Sequence, residues 1–228
     1  MKVAIFSTKY YEREYLNKFN NAGKHQLSYF DAVLNEDSTN LTIGFEVVCI
    51  MLSDIIDEKV IDKLSANSIQ LICLRSAGFD NVDIEAAAKR NIKVLRVPAY
   101  SPQAIAEHAA ALILTLDRKT YKAYNRVREN NFTLHNLMGF NLYDKTVGVI
   151  GTGKIGRAFC TIMQGFGCKV IAYDIKESEA VKNKGIEYKT FDQVLQASDI
   201  ISIHCPLTPD TQHLFNSIAF AKMKTGAM

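Results

Sequence analysis

The sequence predicts an α/β protein with two open parallel-sheet domains, at residues 1–100 and 101–228. Two observations support this fold class. Short β-rich runs alternate with stretches of helical apolar spacing, which is typical of parallel strands joined by right-handed helical crossovers. A long stretch rich in Ala and Leu follows Pro102 and interrupts the alternation, which starts again at Thr146.

The first domain alternates apolar strand-like runs with helical patterns that begin at polar caps. We predict strands at Lys2–Ser7, His25–Phe30, Val47–Ile50, Leu71–Leu74 and Lys93–Val97, and helices at Glu12–Asn20, Asp57–Asn67 and Asp83–Arg90.

One long helix is predicted from Pro102 to about Asn130, because neither Pro nor Gly follows Pro102 in this stretch. Its first half is apolar nearly all round, which is typical of a helix buried between other elements. We interpret this helix as the connector between the domains. Tyr121 and Tyr124 either reach a partner subunit or belong to the interior of one domain.

The second domain repeats the α/β rhythm after a loop-rich passage. We predict strands at Thr146–Ile150, Lys169–Tyr173, Glu187–Lys189 and Ile200–His204, and helices at Lys154–Gly165, Ser178–Lys184, Asp192–Ala197 and Ser217–Met223.

A Gly-x-Gly-x-x-Gly motif lies between the first strand and first helix of this second series. Gly151 permits the tight turn, Gly153 lets the backbone approach a pyrophosphate, and Gly156 allows close packing of helix on strand. The N–H groups that open the helix would bind the phosphates. This context predicts a Rossmann domain that binds a dinucleotide.

Asp174 ends the next strand, 18 residues after Gly156. A carboxylate there would accept hydrogen bonds from the adenine ribose hydroxyls and repel a 2′-phosphate, which favours NAD over NADP. The alternative is a simple cap for the helix near Ser178. A complete dinucleotide-binding sheet has about six strands, so we expect the domain to be incomplete at Met228.

Other candidate residues follow the carboxyl ends of strands, where open parallel sheets bind ligands. The segment from His204 to Thr211 should line the cofactor crevice. In the first domain, small residues at Ser76, Ala77 and Gly78 expose backbone N–H groups suited to a carboxylate. Arg75 adds charge nearby, and Tyr100 leaves the next strand; the alternative for this loop is an ordinary turn.

Composition excludes several classes of function. The net charge of +3 is spread over mixed-charge segments, so we expect no nucleic-acid partner. The five cysteines lack a Cys-x-x-Cys pair and are odd in number, which argues against a zinc site and against a disulfide framework. We expect no bound metal. No apolar run approaches the roughly 20 residues of a membrane span. We expect a cytoplasmic protein without membrane association.

Four segments, in this order, resemble the NAD-dependent D-2-hydroxyacid dehydrogenases along the whole chain. They are residues 75–83 (RSAGFDNVD), 97–108 (VPAYSPQAIAEH), 151–156 (GTGKIG) and 204–211 (HCPLTPDT). The surroundings of Tyr100 and of Asn131 and Phe132 are most similar to the fermentative D-lactate dehydrogenases.

The resemblance implies hydride transfer between NADH and a small 2-oxo acid, with pyruvate reduced to D-lactate. It implies a flavodoxin-like substrate domain, with the Ala77 and Gly78 amides on the substrate carboxylate and Tyr100 lining the pocket. It also implies a homodimer that uses the helix beginning near Pro102. The residues that match cofactor-contacting positions are Lys154, Ile155, Asp174, Cys205, Pro206 and Thr211.

The family's catalytic Arg, Glu and His are expected beyond Met228, so this chain alone is expected to be inactive and poorly soluble. His204 has no neighbouring carboxylate in sequence to orient it, which favours a structural or cofactor-contacting role. Two other functions remain open: a dehydrogenase-like regulator that senses NAD(H), and a methyltransferase that binds S-adenosylmethionine through the same phosphate turn.

Overall fold

The computed structural model describes residues 1–20 and 23–228. The chain divides into two compact units, Met1–Tyr100 and Ser101–Met228. Each unit contains one sheet, and all strand pairs described in both sheets are parallel. The predicted α/β class with two parallel sheets is confirmed.

In the first unit the described strands form a sheet of order β2-β1-β3-β4-β5, the flavodoxin-like order. Its elements are β1 (Lys2–Ile5), α1 (Tyr10–Phe19), β2 (Gln26–Tyr29), a 3-10 turn (Thr39–Thr42), β3 (Val47–Ile50), α2 (Glu58–Ala66), β4 (Leu71–Leu74), α3 (Ile84–Lys89) and β5 (Lys93–Leu95).

Side-chain caps determine where two helices of this unit begin. The Asp57 carboxylate accepts from Val60 N at the start of α2, and the Asp83 carboxylate accepts from Ala86 N at the start of α3. Both helices pack their apolar faces on the buried strands of the sheet. The parallel pairing of β1 with β3 and of β3 with β4 places the carboxyl ends of these strands together at one edge of the sheet.

In the second unit the described strands have the order β8-β7-β6-β9, which matches the first four strands of the Rossmann order 3-2-1-4-5-6. Its elements are α4 (Pro102–Arg118), α5 (Thr120–Arg128), β6 (Thr146–Ile150), α6 (Lys154–Gly165), β7 (Lys169–Tyr173), α7 (Glu179–Lys182), β8 (Glu187–Tyr188), α8 (Phe191–Ala197), β9 (Ile200–Ile203) and α9 (Ser217–Lys222).

The prediction of one long helix after Pro102 is wrong. Lys119 adopts a left-handed conformation, with φ 50° and ψ 38°, and separates α4 from α5. In the single chain, α4 is buried along one face only. Ala106, Ala110 and Ile113 face the core, but Leu112 and Leu116 on another face are 51% and 55% exposed.

The last residues of the chain run beside β9. Ile201 N donates to Met228 O at 2.9 Å, and Met228 N donates to Asp199 O at 3.0 Å. Backbone pairing therefore begins along the outer edge of β9. None of the described helices is long and apolar enough to cross a membrane.

Candidate functional site

A cleft opens in the second unit at the carboxyl ends of β6 and β9, where the strand order reverses. Open α/β sheets bind ligands at such switch points. The cleft volume is about 210 Å³, below the roughly 300–1,000 Å³ of a whole ligand pocket, so it would hold part of a dinucleotide. Its walls are formed by Ile150, Gly151, Gly153, Tyr173, Asp174, Ile175, His204, Cys205, Pro206, Thr208, Thr211 and Leu214.

The three glycines of the loop between β6 and α6 meet different constraints. Gly151 has φ +89°, and a Cβ there would lie 2.6 Å from Cys205 N. A Cβ on Gly156 would lie 2.0 Å from Gly151 O, whereas a Cβ on Gly153 would meet nothing within 4 Å. Gly151 and Gly156 are therefore required by the fold, and Gly153 leaves open space above the loop.

Backbone N–H groups at the start of α6 are available to a ligand. Within residues 1–20 and 23–228, no acceptor is found for the N–H groups of Gly153, Lys154 or Ile155. The Ile155 side chain packs against the core of the unit, which holds its amide in place. Unpaired amides at a helix N-terminus form a binding site for phosphate groups.

The Asp174 carboxylate closes the other side of the glycine loop. Its Oδ2 accepts from Thr152 N at 2.5 Å and from Thr152 Oγ1 at 2.9 Å, and its Oδ1 accepts from Lys176 N at 3.0 Å. Burial acts to raise the pKa of Asp174, but these hydrogen bonds outweigh burial and hold the pKa below its usual value. Asp174 is therefore ionised at neutral pH. Ser178, not Asp174, occupies the N-cap position of α7, and its side chain makes no capping hydrogen bond.

His204 lies in the wall of the cleft as a neutral side chain. Its Nε2 is 2.9 Å from Ser202 Oγ, and its ring packs 5.0 Å from the Phe159 ring. Burial lowers the pKa of His204 below the usual histidine value. Among the described residues no histidine is hydrogen-bonded to a carboxylate, so no charged acid is prepared in this cleft.

Cys205, Pro206 and Thr211 belong to the loop after β9 and also line the cleft. Thr211 Oγ1 donates to Pro206 O at 2.6 Å and lies 3.1 Å from Thr208 Oγ1. This loop is therefore held by its own hydroxyl groups. The structure brings every predicted cofactor residue on the loops after β6, β7 and β9 to the mouth of this one cleft or beside it.

The loop after β4, in the first unit, presents a second set of unpaired amides. Ser76 Oγ donates to Gly78 O at 2.8 Å, and Arg96 Nη1 donates to Ala77 O at 2.8 Å. These bonds use the loop's carbonyl oxygens. Among the described residues no acceptor is found for the N–H groups of Ser76, Ala77 and Gly78, an arrangement suited to an anion.

Arg75 is hydrogen-bonded within the first unit, whereas Tyr100 is exposed. The Arg75 guanidinium donates to Glu12 Oε1 at 2.9 Å and to Phe6 O at 2.9 Å. Its charge is therefore used at the ends of β1 and β3 and is not free for a ligand, which corrects the expectation of an available cation. Tyr100 ends the first unit with 68% of its surface exposed.

Sequence reasoning did not identify two residues that support the cleft. Thr152 lies inside the glycine motif and bonds Asp174, and Tyr188 on β8 lies 2.7 Å from the Thr152 hydroxyl. Thr152 occupies a variable position of the glycine motif, so the motif does not indicate its role. Tyr188 is an aromatic residue in a short strand, and no sequence pattern indicates its role. No group of side chains suited to a metal ion occurs in the part of the chain that the structure describes.

The sheet order, the glycine loop and the ionised Asp174 define a dinucleotide-binding protein of the Rossmann class. The sequence profile described as "D-isomer specific 2-hydroxyacid dehydrogenase, NAD binding domain" matches residues 110–228. Over 228 residues the chain is 48% identical to the 2-hydroxyacid dehydrogenase homolog of Haemophilus influenzae, covering 100% of this chain and 69% of that protein. The chain belongs to the D-isomer specific 2-hydroxyacid dehydrogenases, a family of NAD-dependent oxidoreductases.

Two solved structures show the same fold. The apo structure of D-lactate dehydrogenase from Escherichia coli matches with a TM-score of 0.90 and 45% identity, over 100% of this chain and 72% of that chain. D-Lactate dehydrogenase from Aquifex aeolicus, complexed with NAD and lactic acid, matches with a TM-score of 0.87 and 32% identity, over 97% of this chain and 66% of that chain. NAD is the cofactor of the family.

Proposed function

We propose that this chain carries the cofactor- and substrate-binding elements of a fermentative D-lactate dehydrogenase, which reduces pyruvate to D-lactate with NADH. The observation that carries the proposal is the ionised Asp174 beside a glycine loop whose amides are unpaired. The likeness to the D-lactate dehydrogenases of Escherichia coli and Aquifex aeolicus supports this choice of substrate.

The described residues fit NAD. The Gly153, Lys154 and Ile155 amides would bind the pyrophosphate, because Gly153 leaves space and the three N–H groups lack acceptors. Asp174 would accept from the adenine ribose hydroxyls. The side chains of His204, Cys205, Pro206 and Thr211 would form the remaining walls. When bound, NAD supplies the redox chemistry by accepting or donating a hydride.

The substrate carboxylate would bind the amides of Ser76, Ala77 and Gly78. Two features support this assignment: the three N–H groups have no acceptor among the described residues, and the carbonyls of Ala77 and Gly78 are already bonded. Successive amides of this kind bind carboxylates without a charged side chain. We further propose that the exposed Tyr100 side chain borders the substrate.

A polypeptide of these 228 residues, expressed by itself, would bind NAD(H) but would not reduce pyruvate. Reduction of a 2-oxo acid requires a cation to polarise the carbonyl and an acid to protonate the developing alkoxide. Arg75 is paired with Glu12, and His204 is half-buried, with a pKa that burial lowers below the usual histidine value. Binding without a prepared acid makes an NAD(H)-sensing regulatory protein the second candidate function.

We also propose that the protein is a cytoplasmic homodimer that uses the helix beginning at Pro102. Exposed apolar side chains support the dimer: Leu112 and Leu116 on α4, and Tyr124 and Val127 on α5. The five cysteines are free thiols, as is usual in a reducing compartment.

Calorimetric titration with NADH, followed by an assay of pyruvate-dependent NADH oxidation, tests the proposal. We expect saturable NADH binding that Asp174→Ala weakens about tenfold or more, as for loss of a hydrogen-bonded charged group. We expect no turnover by the 228-residue chain. Absence of NADH binding by a folded chain would refute both candidates, and turnover would refute the inactivity.

A further inference from the structure

Three hydroxyl and carboxyl groups form a continuous hydrogen-bonded chain behind the glycine loop. Ser178 N donates to Tyr188 Oη at 2.9 Å, and Tyr188 Oη lies 2.7 Å from Thr152 Oγ1. Thr152 Oγ1 in turn donates to Asp174 Oδ2 at 2.9 Å. The chain links β8 to the glycine loop and to the segment after β7.

The proton positions along this chain follow from the ionised carboxylate. An ionised carboxylate only accepts, so the Thr152 hydroxyl must direct its single proton at Asp174. Thr152 Oγ1 can then only accept from Tyr188, and Tyr188 Oη accepts from Ser178 N. All the donors therefore point toward Asp174, and such aligned hydrogen bonds strengthen one another in a partly buried environment.

The same contacts restrain the carboxylate mechanically. Thr152 is 4% exposed, and both its N–H and its hydroxyl bond Asp174. The Tyr188 hydroxyl links two segments, because it contacts Thr152 in the glycine loop and Ser178 in the segment after β7. The side chain of Asp174 is thus held at the cleft wall before any ligand binds.

We propose that Tyr188 and Thr152 are positioning residues for cofactor selection, which hold the Asp174 carboxylate where it accepts from the adenine ribose diol and repels a 2′-phosphate. The inference rests on the proposed NAD site. Neither residue needs to touch the cofactor, since each acts through the Asp174 carboxylate.

Other charged or titratable groups also face this carboxylate. Lys176 bonds it through its backbone N–H. Cys205 lies on the opposite loop; burial raises the pKa of its thiol, and the charge of Asp174 raises it further. Neither group belongs to the hydroxyl chain, so changes at Tyr188 or Thr152 can be read separately from them.

The test compares NADH and NADPH affinity of the 228-residue chain and four variants. Tyr188→Phe and Thr152→Val each remove one hydroxyl and keep nearly the same shape. We expect each to weaken NADH binding about three- to tenfold, the usual effect of one lost hydrogen bond to a charged network. NADPH binding should not weaken, so the NADH preference falls by the same factor.

Two variants serve as controls. Thr152→Ser keeps the hydroxyl and should retain the NADH preference of the unaltered chain. Tyr143→Phe removes the hydroxyl of a largely exposed tyrosine that has no hydrogen-bond partner among the described residues. It should change neither affinity.

An NMR titration of the Asp174 carboxyl carbon in the cofactor-free chain provides a readout independent of NAD binding. Its pKa should rise toward the usual value in Tyr188→Phe and Thr152→Val, and stay unchanged in the controls. An unchanged pKa or an unchanged NADH preference in both variants would overturn the positioning role. Failure of the unaltered chain to bind NADH would instead refute the proposed function, and the Asp174 titration would still decide whether the hydroxyl chain operates.

Discussion

Glu12 and Arg75 form a partly buried ion pair, with Arg75 Nε 2.9 Å from Glu12 Oε1 and side chains 12% and 16% exposed. The other carboxylate oxygen of Glu12 accepts from Lys9 N at 2.8 Å. Arg75 also donates to Cys49 O at 3.1 Å and to Phe6 O at 2.9 Å. The residue directly before the Ser76–Gly78 amides is therefore fastened to α1, β1 and β3.

We predict that Glu12→Gln destabilises the first unit by roughly 1.5–3 kcal/mol, the usual effect of losing a hydrogen bond to a charged group. Removing one partner leaves the guanidinium of Arg75 partly buried without its counter-charge, which water cannot fully solvate. Urea unfolding followed by circular dichroism would measure the change.

Glu36→Gln is the matched control. Glu36 and Lys63 form an exposed ion pair in the same unit, at 3.3 Å, and exposed pairs contribute about 0–1 kcal/mol. Equal effects of the two substitutions would show that Arg75 does not depend on Glu12 for its position.

The glycine loop allows folding and binding to be separated. In Gly156→Ala the new methyl group would lie 2.0 Å from the carbonyl oxygen of Gly151, so the backbone must shift. We expect a loss of at least about 2 kcal/mol in the free energy of unfolding, within the range for overpacked sites.

Gly153→Ala should instead leave stability nearly unchanged and weaken NADH binding. Nothing lies within 4 Å of the added Cβ, so stability should change by no more than about 1 kcal/mol. The methyl group would occupy the space over the amides, and we expect NADH affinity to fall at least roughly tenfold. Gly165→Ala at the other end of α6, where nothing lies within 4 Å, should leave NADH affinity unchanged and alter stability by no more than about 1 kcal/mol. Normal NADH binding by Gly153→Ala would contradict the proposed pyrophosphate position.

His204 should make stability depend on pH. Burial lowers its pKa in the folded chain, whereas the unfolded chain takes up the proton near pH 6.5, roughly the ordinary histidine value. As pH falls below that value, the unfolded state binds a proton that the folded state does not, so the free energy of unfolding decreases. The contribution of neutral His204 to the free energy of unfolding is therefore complete above the ordinary histidine pKa.

The measurement is urea unfolding between about pH 8 and pH 5, together with an NMR titration of the His204 ring. In His204→Gln this part of the pH dependence should disappear. A His204 ring that titrates at or above the ordinary value would refute the prediction.

Most of the fold could be predicted from the sequence because its signals are local. The strands Thr146–Ile150 and Lys169–Tyr173 and the helix Lys154–Gly165 have the predicted bounds, since an apolar run, a glycine turn and a polar boundary mark each one. The break at Lys119 could not be predicted. Neither Gly nor Pro marks it, and the residue at the break is a lysine with φ 50°, a conformation that residues other than glycine seldom adopt.

The candidate site divides in the same way. The phosphate loop and Asp174 occur at fixed spacing, so the pattern indicates them. Tyr188 joins Thr152 across 36 residues, and Arg75 joins Glu12 across 63 residues. Such contacts depend on which strands become neighbours in the sheet, and no spacing along the chain specifies them.

The exposed face of α4 leads to a prediction about assembly. Ile105, Leu112 and Leu116 lie on one side of the helix and are exposed, so a glutamate at Leu112 should not disturb the core. In the proposed homodimer this position becomes buried, and burying a leucine contributes about 1.5–3 kcal/mol. We expect Leu112→Glu to raise the dimer dissociation constant at least roughly tenfold, measured by sedimentation velocity. Ile43→Glu, at an exposed apolar residue of the first unit, should leave the dimer intact. A monomeric unaltered chain, or equal sedimentation of the two variants, would refute this interface.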